Sequence, residues 1–263
     1  MIQADLHVAV LQADLVWNNV NANLSLFERQ IQAIDRHVDL YVLPEMFSTG
    51  FCMQPEEVAA TAGEESLQWL LHQAKRQNAG FCGSLLYLLP NGRFVNRMFL
   101  VESNGTYTHY DKRHRFAMAG EDKAYAAGNR EPVVAHFRGW NILLQVCYDL
   151  RFPVFSRNVA GEYQAIIYVA NWPVTRRHHW RTLLTARAIE NQAYCIGVNR
   201  IGQDENGLGY VGDSMIVSPL GNLILDHKDR ADVGYARLNF KDLMEVRKNL
   251  PFLKDADAFR LLD

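Results

Sequence analysis

The segment Asn141–Pro153, NILLQVCYDLRFP, predicts how the second half of the chain folds. Its first six residues form a short, mainly apolar run that is typical of a buried strand. Pro153 favours the start of a helix, since proline is common at the first helical position, and we expect this helix over Pro153–Ala160. Cys147 then lies at the carboxyl end of a strand and faces the amino end of a helix. Ligands bind at such places in α/β sheets, and a helix amino end lowers the pKa of a thiol.

The same alternation of strand and helix extends outward in both directions. Tight turns at Asn91-Gly92 and Asn104-Gly105 predict hairpins between the two halves, and Lys112–Arg130 has no clear period, so we expect an irregular excursion there. The predicted strands are His7–Gln12, Val38–Leu43, Phe81–Leu89, Phe94–Val101, Tyr107–Tyr110, Asn141–Cys147, Ala165–Ala170, Tyr194–Asn199, Gly212–Val217, Asn222–Asp226 and Val233–Leu238. Besides Pro153–Ala160, the predicted helices are Asn19–Asp35, Glu65–Gln77, His178–Asn191 and Lys241–Leu250.

These patterns predict a single α/β domain over residues 1–263, since they contain no linker or low-complexity tract. The number of strands indicates two mixed sheets packed face to face, with the helices outside.

Composition narrows the class of partner. The chain has 263 residues, 49% of them hydrophobic, and a formal net charge of −2, so no broad field attracts nucleic acid or an anionic membrane. We expect a small-molecule partner instead.

Neither a secretory leader nor an apolar stretch long enough for a membrane span is apparent, which favours a cytoplasmic protein. The four cysteines, Cys52, Cys82, Cys147 and Cys195, lie far apart and are expected to be free thiols.

Two further polar residues follow apolar strands as Cys147 does. Glu45 ends the run Leu43-Pro44-Glu45, and Lys112 ends Tyr110-Asp111-Lys112. Read singly, Cys147 is a core filler, Glu45 a helix cap or ion-pair partner, and Lys112 part of a solvated basic run. Taken together in this order, the three residues indicate a nucleophile with a proton shuttle and a cation.

With these residues, the chain resembles the carbon-nitrogen hydrolase, or nitrilase, superfamily over nearly its whole length. The motifs that carry the resemblance are Leu43-Pro44-Glu45, Tyr110-Asp111-Lys112, Cys147–Pro153 and the later Ala186–Gln192. The resemblance implies a four-layer αββα sandwich, no cofactor and no metal. It also implies a homodimer or larger homo-oligomer, which the helix near Trp180–Asn191 and the one after Phe152 would hold together.

The resemblance implies roles for individual residues in amide hydrolysis. Cys147 would be the nucleophile, Glu45 would exchange protons, and Lys112 with the backbone N–H of Tyr148 would form the oxyanion hole. Glu121 matches the second glutamate of such sites through Gly120-Glu121 and its distance to Gly128. Its alternative is a solvated acid, and sequence leaves open whether it transfers protons or only positions other groups.

Within the superfamily, the chain most resembles the ω-amidases, which hydrolyse 2-oxoglutaramate and 2-oxosuccinamate to the 2-oxo acid and ammonia. The motifs Glu45–Phe51, Tyr168–Pro173 and Ala188–Tyr194 support this branch. Such substrates carry a carboxylate, which an arginine binds through its planar fork. Arg151 is the first candidate and an ion pair with Asp149 its alternative. The remaining candidates are Phe47 and Trp172 as pocket walls, and Arg115, Arg176 and Arg177 as weaker carboxylate ligands.

Other functions remain as alternatives. The same superfamily includes aliphatic nitrilases, N-carbamoyl amino acid hydrolases and amidases on other small acids, although nitrilases usually carry Trp-Glu after the cysteine, where this chain has Tyr148-Asp149. From other classes, the chain could be an inactive binding or scaffold member of the fold or a redox thiol switch. His178-His179 lacks the spacing of a metal site.

Overall fold

The computed structural model describes residues 4–58 and 60–261. The strands in this part of the chain are β1 (Leu6–Leu11), β2 (Leu40–Val42), β3 (Gly80–Leu88), β4 (Phe94–Val101), β5 (Tyr107–Asp111), β6 (Val133–Phe137), β7 (Trp140–Val146), β8 (Ala165–Ala170), β9 (Tyr194–Asn199), β10 (Ile201–Gln203), β11 (Gly209–Val211), β12 (Met215–Val217), β13 (Leu223–Asp226) and β14 (Val233–Leu238). The α-helices there are α1 (Val20–Gln32), α2 (Ala62–Gln77), α3 (Glu121–Ala124), α4 (Arg177–Asn191) and α5 (Phe240–Asn249).

Twelve of these strands form two mixed sheets, and β10 and β11 pair with each other in a small antiparallel sheet. Among the described residues, one six-stranded sheet has the order β14-β1-β2-β3-β4-β5, and the other has the order β13-β12-β9-β8-β7-β6. Strands β1, β2 and β3 are parallel in the first sheet, and β7, β8 and β9 are parallel in the second. Strand β5 is antiparallel to β4, which is antiparallel to β3, so β5 runs in the same direction as β3.

The alternation of side chains along the strands produces the layers. Leu6, Val8 and Val10 of β1 pack against the second sheet in a core that also holds Ile142 and Ile167. Residues on the opposite faces of the sheets are covered by helices. Ala9 and Leu11 pack with Phe27 of α1, while Ile166 and Cys195 pack with Leu184 of α4. The result is the four-layer αββα sandwich that the sequence predicted.

Most predicted elements are present with small changes in their ends, but the helix predicted over Pro153–Ala160 is wrong. A 3-10 helix begins at Cys147 itself and ends at Arg151, a turn follows, and a second short 3-10 segment covers Val159–Gly161. The Asp149 carboxylate accepts the backbone N–H of Val146 at 2.9 Å, which closes the chain tightly around Cys147. Ala160 and Gly161 have positive φ angles, 51° and 76°, which an α-helix does not allow.

Two smaller differences concern the irregular and C-terminal regions. The segment Lys112–Arg130 is irregular as predicted but contains the single-turn helix α3. The strand predicted over Gly212–Val217 begins only at Met215, because Gly212 and Asp213 both have positive φ angles that interrupt it. No helix in the described part of the chain is long and apolar enough to cross a membrane.

Gly128 provides a test of how the Lys112–Arg130 segment is anchored. Its N–H donates to the carbonyl of Lys112 at 3.0 Å, and a Cβ placed on it would lie 1.8 Å from the carbonyl oxygen of Asp111. We expect Gly128→Ala to lower the free energy of unfolding by about 3 kcal/mol, because backbone atoms must move apart. Gly209→Ala is the matched control, since its Cβ would meet only Val174 at 3.6 Å. Urea unfolding measures both; equal small losses would contradict the prediction.

Candidate active site

The three predicted residues lie at one edge of the sandwich, where the carboxyl ends of strands from both sheets meet. Lys112 directly follows β5, Cys147 directly follows β7, and Glu45 lies three residues beyond the end of β2. The Glu45 and Lys112 side chains are 0% and 1% exposed. Charged groups are this deeply buried only where they are paired. The structure therefore brings together residues that lie more than one hundred positions apart in the sequence.

The Lys112 ammonium is the centre of this cluster. Its Nζ lies 2.8 Å from Oε1 of Glu45 and 2.9 Å from each carboxylate oxygen of Glu121. Burial alone would lower the pKa of Lys112, but the charges of Glu121 and Glu45 outweigh burial and raise the pKa well above its ordinary value. The side chain therefore stays positively charged at any physiological pH.

Glu121 faces this cluster and not the solvent. It begins α3, and its Oε2 also accepts the backbone N–H of Phe116 at 2.5 Å. Burial, together with the charge of Glu45, raises the pKa of Glu121, although Lys112 and the Phe116 N–H act in the opposite direction. The alternative that Glu121 is a solvated acid is wrong.

Glu45 is held from both sheets. Its Oε1 accepts the side-chain amide of Asn96 at 2.8 Å as well as Lys112, while its Oε2 accepts the backbone N–H of Asn171 at 2.8 Å. The Asn171 side chain also donates to the Glu45 carbonyl oxygen at 2.8 Å and to Oε2 at 3.3 Å. Sequence reasoning missed both asparagines. Asn171 gave the same signal as Cys147, because it directly follows the apolar strand β8.

Cys147 is partly buried and has an unusual backbone conformation. Its φ angle is 45°, in the left-handed region that residues with a Cβ rarely adopt. Its Sγ lies 3.9 Å from the carbonyl oxygen of Asn171. Burial and then the charge of Glu45 raise the pKa of Cys147 well above its ordinary value, although Lys112 acts in the opposite direction. The expectation of a lowered thiol pKa is wrong, because burial and the charge of Glu45 outweigh the charge of Lys112.

A small cavity of about 30 Å³ opens onto Cys147. Aromatic and cationic side chains dominate its wall, and the lining residues are Phe51, Phe116, Cys147, Tyr148, Arg151, Asn171, Trp172, Pro173 and Arg176. The Arg151 guanidinium lies 4.7 Å from the centre of the Trp172 ring, and its Nη2 is 3.3 Å from Nδ1 of His179. An acyl chain attached to Cys147 therefore extends past two arginines and several aromatic rings.

The predicted ion pair between Arg151 and Asp149 is not formed in the described structure. Asp149 is fully buried and instead accepts the hydroxyl of Tyr110 at 2.8 Å, while its other oxygen lies 2.7 Å from His114 Nδ1. This leaves the Arg151 fork directed along the cavity wall. Asp149 shapes the turn around Cys147, whereas Arg151 faces the cavity.

Phe47 does not line this cavity, and its prediction as a pocket wall is wrong. Its ring packs in the outer core against Phe27 at 5.7 Å and Trp69 at 5.9 Å between centroids. The reason is geometric: Glu45 points to the inter-sheet edge, while Phe47, two residues later, is directed towards the helices α1 and α2 that cover the first sheet.

The other candidate arginines differ in what they contact. Arg176 lies 5.4 Å from the centre of the Phe116 ring at the cavity. Arg115 donates to the carbonyls of Asp122 and Tyr125, and Arg177 forms an ion pair with Asp213, so both are already engaged. Arg151 and Arg176 are thus the candidate arginines that line the cavity.

Metal-binding geometry is found elsewhere than in this site. In the described residues, a group of side chains that could hold a metal consists of His7, His37 and Asp39. It lies at the amino ends of β1 and β2, at the opposite edge of the sandwich from Cys147. All four cysteines are free thiols, as predicted.

The chain is similar to known proteins along most of its length. The carbon-nitrogen hydrolase family profile matches residues 7–248. The chain is 46% identical over 260 residues to a protein named Omega-amidase YafV from Escherichia coli strain K12, a match covering 97% of this chain and 98% of that protein. It is 36% identical over 234 residues to the 2-oxoglutaramate amidase of Paenarthrobacter nicotinovorans, covering 84% and 79%. A CN-hydrolase superfamily protein of Xanthomonas campestris, solved with an arsenic adduct in its active site, superposes with a TM-score of 0.93 at 34% identity, covering 98% and 99%.

The buried cluster leads to a stability prediction for Lys112→Met. Removing the ammonium leaves two buried carboxylates facing each other, so we expect a loss of about 3–5 kcal/mol in the free energy of unfolding near neutral pH. The loss should shrink as the pH falls. A buried carboxyl with a raised pKa binds its proton more tightly in the folded than in the unfolded chain, so its protonation favours folding at low pH. Urea unfolding at about pH 5.5 and about pH 8 measures the difference.

Lys75→Met is the matched control for this experiment, because Lys75 is exposed in the last turn of α2. We expect a change within about 0.5 kcal/mol at both pH values. A loss in Lys112→Met that does not depend on pH would show that packing, and not unpaired charge, accounts for it.

Proposed function

The chain belongs to the carbon-nitrogen hydrolase family, and we propose that it is an ω-amidase, which hydrolyses the terminal amide of 2-oxo dicarboxylic acid monoamides such as 2-oxoglutaramate and 2-oxosuccinamate. The observation that carries this proposal is a cysteine beside a buried Glu45–Lys112–Glu121 cluster, beneath a cavity whose wall contains Arg151. The relatives named Omega-amidase and 2-oxoglutaramate amidase, which match along most of their length, favour the same substrates.

Acylation is the first half of the reaction. The thiol of Cys147 is protonated at rest because its pKa is raised, so it becomes a nucleophile only as Glu45 removes the proton. The sulfur then attacks the amide carbon, and the carbonyl electron pair moves to the oxygen. Lys112 and the backbone N–H of Tyr148 would stabilise this oxyanion, and one such donor typically contributes about 3 kcal/mol to transition-state stability.

Loss of ammonia ends acylation, and deacylation then completes the cycle. Glu45 gives its proton to the departing nitrogen, ammonia leaves, and a thioester remains on Cys147. Glu45 then removes a proton from water, whose oxygen attacks the thioester carbon; the C–S bond breaks, the 2-oxo acid leaves, and the proton passes from Glu45 to the Cys147 sulfur. Glu121 shares Lys112 with Glu45, so its role in this proposal is to hold the ammonium in place. No metal or cofactor takes part in the steps proposed.

Recognition of the substrate carboxylate is assigned to Arg151. Its guanidinium is stacked on Trp172, which holds the planar fork in one orientation at the cavity wall. A bound 2-oxo acid amide would place its amide carbon at Cys147 and its carboxylate towards the cavity mouth. The small cavity favours short chains, and its aromatic walls contact the methylene groups between the two ends.

Other parts of the proposal concern the assembled protein. We propose a cytoplasmic homodimer or larger homo-oligomer. The exposed apolar side chains of Ile189 on α4 and of Leu220 and Leu223 around the β12–β13 turn support such association. Ile189 lies on the helix predicted to form the interface.

The first test measures ammonia release from 2-oxoglutaramate and 2-oxosuccinamate beside glutamine, an aliphatic nitrile and an N-carbamoyl amino acid. We expect the oxo acid amides to give the highest kcat/KM and Cys147→Ser to abolish turnover. A large preference for the nitrile or carbamoyl substrate would replace the ω-amidase assignment with that activity. No hydrolysis of any substrate by the folded protein would favour the inactive scaffold alternative.

The second test concerns Arg151→Met, compared with Arg176→Met as the matched variant at the same cavity. Loss of a charge-assisted hydrogen bond to the substrate weakens binding by about 1.5–3 kcal/mol, so KM for 2-oxoglutaramate should rise about 10- to 100-fold. KM for a neutral short amide should change little. Equal rises for both substrates would remove Arg151 from this role, and a selective rise in Arg176→Met alone would transfer the role to Arg176.

A further inference from the structure

Asn96 is a polar residue in an unexpected place. It lies near the amino end of β4 and shares the inter-sheet face of that strand with Met98 and Leu100, which pack in the apolar core. It is 1% exposed. Its carbonyl oxygen accepts the backbone N–H of Lys112 at 2.9 Å, so its backbone is paired directly beside the catalytic lysine.

The Asn96 side chain connects the two carboxylates of the site. Its Nδ2 donates to Oε1 of Glu45 at 2.8 Å and approaches Oε1 of Glu121 at 3.4 Å. The reverse orientation of the amide would direct its oxygen at both carboxylates, so electrostatic repulsion selects the observed one. Asn96 and Lys112 therefore both bridge the same pair of oxygens.

These contacts make the two oxygens of Glu45 chemically different. Oε1 contacts the Lys112 ammonium and Asn96, whereas Oε2 accepts only neutral donors, the backbone and side-chain N–H groups of Asn171. A proton placed on Oε1 would be repelled by the ammonium. The Cys147 sulfur lies 3.9 Å from the carbonyl oxygen of Asn171, the residue whose N–H groups bind Oε2.

We propose that Asn96 is a positioning residue that, with Lys112, ties down Oε1 of Glu45 so that Oε2 is the oxygen that exchanges protons with Cys147. In the acylation step, the S–H bond breaks, its proton goes to Oε2, and the sulfur electron pair forms the bond to the amide carbon. The proposal rests on the proposed function for the substrate, but the proton transfer from Cys147 is independent of which amide is cleaved.

A purely structural role explains Asn96 less well. Its Oδ1 is buried without a hydrogen-bond partner in the described residues, and such an acceptor destabilises the folded state. The amide donor is retained on an otherwise apolar face in spite of this. The contacts of Nδ2 with Glu45 and Glu121 account for an amide at this position.

The experiment compares Asn96→Ala and Asn96→Asp with Asn158→Ala as the matched control. Asn158 is also a buried asparagine, but its Nδ2 donates to the carbonyls of Tyr163 and Asn191, away from the site. The readouts are kcat and KM for 2-oxoglutaramate, the pH profile, and the rate of Cys147 alkylation by iodoacetamide against pH. Circular dichroism and thermal melting establish that each variant is folded.

For Asn96→Ala, we expect kcat to fall about 10- to 100-fold with a small change in KM, because the base is no longer held in line. The acid limb of both the activity and the alkylation profile should move up by about one pH unit, because the carboxylate has lost a donor that favours its charged form. Asn96→Asp keeps the shape and should move the limb further, since a third acid beside two others opposes ionisation. If Asn96→Ala does not fold, the pH profiles of Asn96→Asp test the proposal.

Asn158→Ala should lower the melting temperature without moving either profile. Unchanged pH profiles in both folded Asn96 variants, or a shift of equal size in Asn158→Ala, would overturn the proposal. The alkylation measurement does not depend on the substrate assignment. If the enzyme does not hydrolyse 2-oxoglutaramate, the rate of Cys147 alkylation by iodoacetamide still shows the effect of each Asn96 substitution.

Discussion

The ion pairing of Lys112 with Glu45 and Glu121 is the constraint on which the site depends. Three charges that water would solvate strongly are buried together, and they are tolerated only because each has several partners. With a neutral thiol, one ammonium and two carboxylates leave one net negative charge. Burial opposes a thiolate, and a thiolate would also add a second negative charge, so the Cys147 pKa is raised. In the proposed mechanism, the proton therefore leaves only as the sulfur attacks. The cluster thus couples proton removal to bond formation.

The sandwich is required because neither sheet contains the whole site. Glu45, Lys112 and Asn96 come from the first sheet and its connections, while Cys147 and Asn171 follow strands of the second. Asn171 joins the two, since its backbone and side chain hold Glu45 and its carbonyl lies beside the Cys147 sulfur. The apolar inter-sheet core therefore also sets the distance between base and nucleophile. A shift of the sheets by about 1 Å would be expected to reduce the rate markedly.

Sequence patterns did not predict β6, β10 and β11. They predicted the other strands and the two packed sheets, because buried strands are apolar, and they singled out Glu45, Lys112 and Cys147 as polar residues that follow such strands. They failed where tertiary contacts decide the structure. Pro153 permits a helix, but the Asp149 carboxylate closes a tighter turn that no local pattern shows. Phe47 is close to Glu45 in sequence, yet the turn after β2, in which Met46 has a positive φ of 45°, directs it towards α1 and α2. Asn96 could have been noticed as a polar residue within an apolar strand, but its partners, Glu45 and Glu121, were visible only in three dimensions.

The division between the buried cluster and the cavity wall separates chemistry from specificity. In the proposed mechanism, the cluster treats any carbonyl carbon attached to nitrogen alike, because its charges would act on the sulfur and the oxyanion and not on the rest of the substrate. Discrimination is then assigned to Arg151, Trp172, Phe116 and Arg176, which line the cavity and lie on connections between strands. A single oriented arginine contributes about 1.5–3 kcal/mol, enough to change preference about 10- to 100-fold without altering the reaction. Changes confined to these wall residues could therefore redirect the enzyme to another amide while the Glu45–Lys112–Cys147 arrangement stays as it is.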